Sequence, residues 1–214
     1  MGIGRFIAFE GGEGAGKSTQ ARLLAETLTA RGIACVLTRE PGGTPGAEAI
    51  RSLLLEPPGE GWGARAEALL FAAARADHVA RLIRPALEAG DWVVCDRFLD
   101  SSRAYQGAAG ALGDEMIRTL HRLGSEDLLP DLTIVLTASA ERVAGRLADR
   151  DGGRADAIGG REAPYHARVA SAFQEFTEQE PERFAFIDAE VTVEEVQARV
   201  MAAVAPLFEP PGPC

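Results

Sequence analysis

From position 11 to position 18 the chain reads Gly-Gly-Glu-Gly-Ala-Gly-Lys-Ser, directly after an apolar run and directly before a helical pattern. This fits G-x-x-x-x-G-K-[ST] in the strand–loop–helix setting that gives the motif its meaning. Glycine puts no Cβ between backbone and ligand, so the N–H groups along Gly11, Gly12, Glu13, Gly14, Ala15 and Gly16 can converge on phosphate oxygens. The helix that follows turns the positive end of its dipole toward the same anion. Lys17 is placed to reach the β- and γ-phosphates of a purine nucleotide, with Thr19 beside it in the first helical turn. The Ser18 hydroxyl is placed to ligate Mg²⁺.

Lys17 is also the only lysine: the other 21 of the 22 basic residues are arginines. A GC-biased genome accounts for the arginines, and a compact ammonium that a planar guanidinium cannot replace accounts for the lysine that remains. With no second lysine, the Asn-Lys-x-Asp guanine reader cannot exist, which argues against a standard GTPase switch. The net charge of −10 argues against a nucleic-acid or anionic-membrane partner, because phosphate backbones are bound through accumulated positive charge. An anionic small molecule stays allowed, since a local cluster can be basic on an acidic protein. Cys35, Cys95 and Cys214 are widely spaced and suggest neither a disulfide framework nor a zinc site. No apolar run approaches the roughly 20 residues that span a bilayer, and the N-terminus runs straight into the first motif. The chain is expected to be soluble and cytoplasmic.

Short, mostly apolar runs alternate with longer helical patterns. The strands are expected at Arg5–Glu10, Ala34–Thr38, Asp91–Asp96, Leu132–Thr137 and Phe184–Asp188. Helices are expected at Lys17–Arg31, Ala47–Leu55, Arg65–Ala89, Asp114–Gly124, Ala140–Arg150, Glu162–Gln179 and Val193–Ala205, the last stopped by Pro206. The order predicts an α/β, three-layer P-loop NTPase fold, with a five-stranded parallel sheet surrounded by helices. One domain is expected over residues 1–208, with a glycine-rich mobile lid at about 150–161 and a flexible tail at 209–214.

Three further motifs fall at expected strand ends, where ligands bind in a parallel sheet. Thr38-Arg39-Glu40-Pro41-Gly42-Gly43-Thr44 follows the second strand, and Asp96-Arg97-Phe98 and then Ser101-Ser102-Arg103-Ala104-Tyr105-Gln106-Gly107 follow the third. Arg39 and Arg97 beside the phosphate loop make sense if a second phosphorylated molecule faces ATP; taken singly, either could be a surface ion-pair residue. Phe71 and Arg75 are four apart and share a helix face, so a ring can stack on a base while the guanidinium donates to a base carbonyl. The alternative is that Phe71 is plain core and Arg75 a solvated charge.

These motifs, with Phe71-Ala72-Ala73-Ala74-Arg75, resemble the bacterial thymidylate kinases (dTMP kinases) in order and spacing along nearly the whole chain. The resemblance implies transfer of the ATP γ-phosphoryl group to dTMP, giving dTDP for dTTP biosynthesis, with Mg²⁺ and as a homodimer. It implies that Arg39 and Arg97 hold the dTMP phosphate with help from Arg103. Phe71, Arg75, Ser102 and Gln106 would take the thymine, and Tyr105 would lie against the deoxyribose. Asp96 would support Mg²⁺ with Ser18, and Glu13 would lie near the acceptor sugar and metal, a plain solvated glutamate being its alternative. Gly14 stands where some members carry a basic residue, so the catalytic arginine is expected from the lid. There Asp156-Ala157 stands where Asp-Arg is common. Arg154 ranks first, ahead of Arg161 and Arg150, and a weakened enzyme is the other reading of Ala157. Arg142 and Arg146 would flank the adenine, or else belong to a surface helix.

Overall fold

The structure, a computed structural model, describes residues 3–139 and 160–209. The strands are β1 (Phe6–Gly11), β2 (Cys35–Arg39), β3 (Trp92–Asp96), β4 (Leu132–Thr137) and β5 (Phe184–Asp188). They form one parallel sheet in the order β2-β3-β1-β4-β5. The helices are α1 (Lys17–Ala30), α2 (Pro45–Leu55), α3 (Ala64–His78), α4 (Arg84–Ala89), α5 (Leu99–Ser102), α6 (Asp114–Ser125), α7 (Ala163–Gln179) and α8 (Val193–Val204). The expected helix over 140–150 lies outside the described residues.

Alternation across the pleat explains why the strand sequences are apolar throughout. On β1, Ile7 and Phe9 face a cluster containing Leu24 and Leu28 of α1 and Val196, Val200 and Val204 of α8. Phe6 and Ala8 face the other layer, with Val79, Ile83, Phe98 and Ile117. A third cluster packs Phe173 and Phe176 of α7 against Tyr105 and Val135. Cys95 is buried and Cys35 half-buried against this core; burial pushes the Cys35 thiol up to about 11, with Asp91 adding to it.

Two stretches differ from the sequence expectation. Arg65–Ala89 is not one regular helix: a wide, π-type turn at Val79–Ile83 separates α3 from α4. Pro85 lacks an N–H, and its ring would crowd the carbonyl a turn earlier, so the ladder loosens there and Arg84 N–H reaches Val79 O. Leu99–Ala109, expected only as a motif-bearing stretch, is helical: α5 continues as a second π-type segment, Arg103–Ala109. Leu99, Asp100 and Ser102 to Gly107 are all buried, with Ala108 exposed at the end, so the segment shows no amphipathic period. Past α8, a 3₁₀ turn at Ala205–Phe208 carries Phe208 onto Trp92, with ring centroids 5.2 Å apart. Among the described residues no helix is long and apolar enough to cross a membrane.

Candidate active site

Parallel register puts the ends of β1, β2 and β3 on one edge of the sheet, with Arg39 opposite Asp96. A cavity of about 600 Å³ opens there. Its first wall is the loop between β1 and α1. Gly11 has φ 129°, and a Cβ on it would come within 2.2 Å of Leu136 O on β4, so only glycine fits. Gly14 and Gly16 also lie in the left-handed region, at φ 68° and 99°. The first turn of α1 has neither an acidic residue nor a side-chain cap, which leaves its N–H groups available to an anion. Lys17 is buried, and its Nζ donates to Gly11 O (3.1 Å) and Gly12 O (2.6 Å). Burial, and then the nearby Arg97 charge, lowers its pKa to about 8 against the pull of Asp96, Glu13 and Glu10.

Asp96 closes β3, and Ser18 Oγ donates to its Oδ2. The other oxygen, Oδ1, is buried without a hydrogen-bond partner. An acceptor-only group left open beside a serine hydroxyl fits a hard cation, and the single carboxylate matches an ion held mainly by substrate phosphates. Among the described residues no cluster of three or more His, Cys, Asp or Glu forms a self-sufficient metal site.

Arg97 takes the left-handed conformation, φ 69°, uncommon for a residue with a side chain. Its backbone N–H bonds Phe9 O at 2.8 Å. Glu10 holds the turn that follows, accepting from Phe98 N (2.8 Å), Ser101 N (2.9 Å) and Ser101 Oγ (2.5 Å). Burial and then the Asp100 charge push the Glu10 carboxyl up to about 7. Arg97 Nη1 donates to Ser101 Oγ (3.0 Å), and Nη2 pairs with Glu13. The guanidinium carbon lies 5.1 Å from the Tyr105 ring centroid. Burial works against its charge, but Tyr105, Glu13, Asp96 and Glu10 outweigh it and hold the pKa above the ordinary value.

The opposite wall comes from β2, α3 and the Leu99–Ala109 segment. Exposed Arg39 donates to both Glu48 oxygens, at 3.0 and 3.2 Å. Phe71 and Arg75 both line the cavity. Arg75 is buried rather than solvated: Nε donates to Glu40 Oε2 (2.8 Å), and Nη2 to Phe98 O (3.1 Å) and Ser102 Oγ (2.8 Å). His78 Nδ1 lies 3.0 Å from the other Glu40 oxygen. Ser102, Tyr105 and Gln106 line the same wall, and Gln106 Nε2 donates to Glu67 Oε1 at 2.8 Å.

Arg103 is a correction. It points away from the cavity, on the far side of its helix, and pairs with Asp100 (2.8 Å), Asp114 (2.7 Å) and Glu180 (2.9 Å) over the Phe176 ring. Three carboxylates claim its guanidinium, so it braces the segment against α6 and α7. Arg142, Arg146, Arg150 and Arg154 lie outside the described residues. Arg161 lies within them and pairs with Glu67 and Tyr165. Sequence reasoning missed Glu10, Glu67, Arg51 and Ser101. A glutamate closing an otherwise apolar strand was a signal for Glu10; Glu67 carried none, being one charge on an ordinary helix. Arg51 lines the cavity and donates to Pro41 O at 2.7 Å.

The glycine-rich loop with Lys17 thus opens on the same cavity as Arg39, Arg75 and Arg97, a layout that fits P-loop kinases, which carry a phosphoryl group between two bound molecules. The thymidylate kinase family model matches residues 9–200, and the chain belongs to the thymidylate kinase family. It is 58% identical to a thymidylate kinase of Rhizorhabdus wittichii over 96% of this chain and 99% of that one. It is 51% identical to a thymidylate kinase of Rhodopseudomonas palustris over 94% and 88%. The crystal structure of thymidylate kinase from Ehrlichia chaffeensis superposes with a TM-score of 0.78 at 31% identity, covering 95% of this chain and all of that one.

Proposed function

We propose that the chain transfers the γ-phosphoryl group of ATP to the phosphate of dTMP, giving ADP and dTDP for dTTP synthesis. The observation that carries this reading is one cavity lined by Lys17 and the α1 N-terminus, by Arg97 beside them on the same Gly11 carbonyl, and by Arg39 from β2. Phosphoryl transfer asks little covalent chemistry of a protein; holding two anions in line and neutralising the charge between them does most of the work. Lys17 would orient the β- and γ-phosphates, and Arg97 would exchange Glu13 for the acceptor phosphate, with Arg39 beside it. Ser18 and Asp96 would hold Mg²⁺, which supplies charge neutralisation on the phosphate oxygens when bound.

On the acceptor side, Phe71 stacks on the base, Arg75, Ser102 and Gln106 read its edge, and Tyr105 packs against the deoxyribose. Glu13 sits between sugar and metal. The adenine end falls to Arg146. The donor arginine comes from the lid at about 150–161, Arg154 first, since Glu67 and Tyr165 already engage Arg161. The reading includes one catalytic domain over residues 1–208 with a 209–214 tail, whose residues 210–214 lie outside the described ones, a cytoplasmic setting and a homodimer. Exposed Leu69, Met116 and Leu123 along α3 and α6 favour the dimer. Those two helices meet where Gly124 approaches Ala72 and Ala76.

Coupled detection of ADP with dTMP, dUMP, UMP, CMP, AMP and GMP as acceptors tests the assignment. ADP release that depends on dTMP and is greatest with it is expected. ADP release indifferent to every acceptor would instead mark an ATPase.

A further inference from the structure

Glu67 belongs to none of the motifs that mark the site in the sequence, yet it supports the acceptor wall from behind. It lies on α3, buried to 8% exposure, on the helical stripe that continues through Phe71 and Arg75. One of its oxygens accepts from Gln106 Nε2 at 2.8 Å, and the other from Arg161. A side-chain amide has chemically opposite ends, two donors on nitrogen and an acceptor on oxygen. A carboxylate that also faces a guanidinium only accepts, so the amide must present its NH₂ to Glu67 and turn its carbonyl the other way. Gln106 lines the cavity, and its Oε1 has no hydrogen-bond partner among the described residues. Arg75, which also lines the cavity, has Nε and Nη2 committed to Glu40, Phe98 and Ser102, which leaves Nη1 uncommitted among the described residues.

We propose that Glu67 is a positioning residue that sets the base preference of the acceptor pocket, by locking the Gln106 amide so that Arg75 and Gln106 present one donor and one acceptor side by side. That pair matches a ring carbonyl next to a ring N–H, the edge that thymine and uracil share. Cytosine carries the reverse, an amino group beside an unprotonated ring nitrogen. A buried polar site rejects the reversed edge because its own groups are then left unpaired. The inference rests on the reading of this wall as the nucleoside monophosphate site. It assigns the discrimination between pyrimidines to a residue that never touches the base.

The test is kcat/KM of the full-length chain with ATP for dTMP, dUMP and dCMP. Glu67→Gln can donate as well as accept, so it frees the Gln106 amide to turn over. The dTMP-to-dCMP ratio is expected to fall by at least about tenfold. The dTMP-to-dUMP ratio is expected to stay within about twofold, since those bases share the edge. Glu67→Met keeps the length, removes the acceptor and should do the same. In a Gln106→Leu background, which has no amide to orient, Glu67→Gln should leave the dTMP-to-dCMP ratio unchanged. Equal losses for dTMP and dCMP, an unchanged ratio in both Glu67 variants, or the same fall in the Gln106→Leu background would each overturn the proposal. A wild-type chain that makes no dTMP-dependent ADP would overturn the underlying reading before any variant is made.

Discussion

Lys17 sits where burial and a facing arginine work against its own charge. Its pKa, lowered from 10.5 to about 8, means that folding favours the neutral amine. The linkage sign follows: the charged form burdens the fold below pH 8, and the burden is lifted as pH rises from about 8 to 10.5. A bound triphosphate supplies the missing counter-charge and draws the pKa back up. ATP binding should therefore take up a proton increasingly as pH rises through 8, seen by calorimetry in buffers of different ionisation enthalpy, and Lys17→Met should abolish that uptake. The same variant should lose kcat by about 10²-fold or more, as expected for a donor at the transferring group. Arg97 lies beside it, Lys17 Nζ and Arg97 Nη1 both donating to Gly11 O (3.1 and 3.3 Å), and is the arginine read as taking the acceptor phosphate. Arg97→Ala should lower kcat/KM for dTMP by about 10²-fold or more while ATP affinity, read by fluorescent-nucleotide displacement, changes little. Retained dTMP kinase activity would sink its assignment.

The stretch Leu99–Ala109 shows why an element can be decisive and still hard to read. Nearly all its residues are buried, so the period that betrays a surface helix is missing, while its two faces have different work. Ser102, Tyr105 and Gln106 face the cavity, and Arg103 faces Asp100, Asp114 and Glu180. The family motif holds all four together, but which way each side chain turns depends on the wide turn and on α6 and α7 behind it. Arg103→Met should consequently lower unfolding stability by about 3 kcal/mol, by taking one of its two arginine partners from buried Asp100, with Arg183 still holding it. KM for dTMP should stay within about twofold of wild type where the variant remains folded. A large rise in KM without loss of stability would return Arg103 to the phosphate site.

The assembled molecule is expected to be a homodimer. Sedimentation should give twice the 22.6 kDa of one chain, and Leu123→Glu, at the 83% exposed position of α6, should shift it toward the monomer. If the variant sediments as wild type does, the α3–α6 face is not the contact. Within one chain, the three central strands were legible because each is covered on both faces and so is written as a plain apolar run, and the edge strands β2 and β5 were legible as similar short runs although Leu37 and Phe186 are about half exposed. The phosphate loop was legible for a related reason: glycine spacing, the lysine and the serine act through backbone a few residues away. The strand order, the helical Leu99–Ala109 segment and the buried ties from Glu40 to Arg75 and from Glu67 to Gln106 join positions tens of residues apart. Sequence alone thus determined the class of fold, the glycine-rich loop and most of the side chains that line the cavity. Only the tertiary structure decided which arginines face the cavity, which brace the core, and which way an amide points. Local pattern records what the neighbouring backbone requires, whereas a side chain's partner exists only after distant elements have packed together.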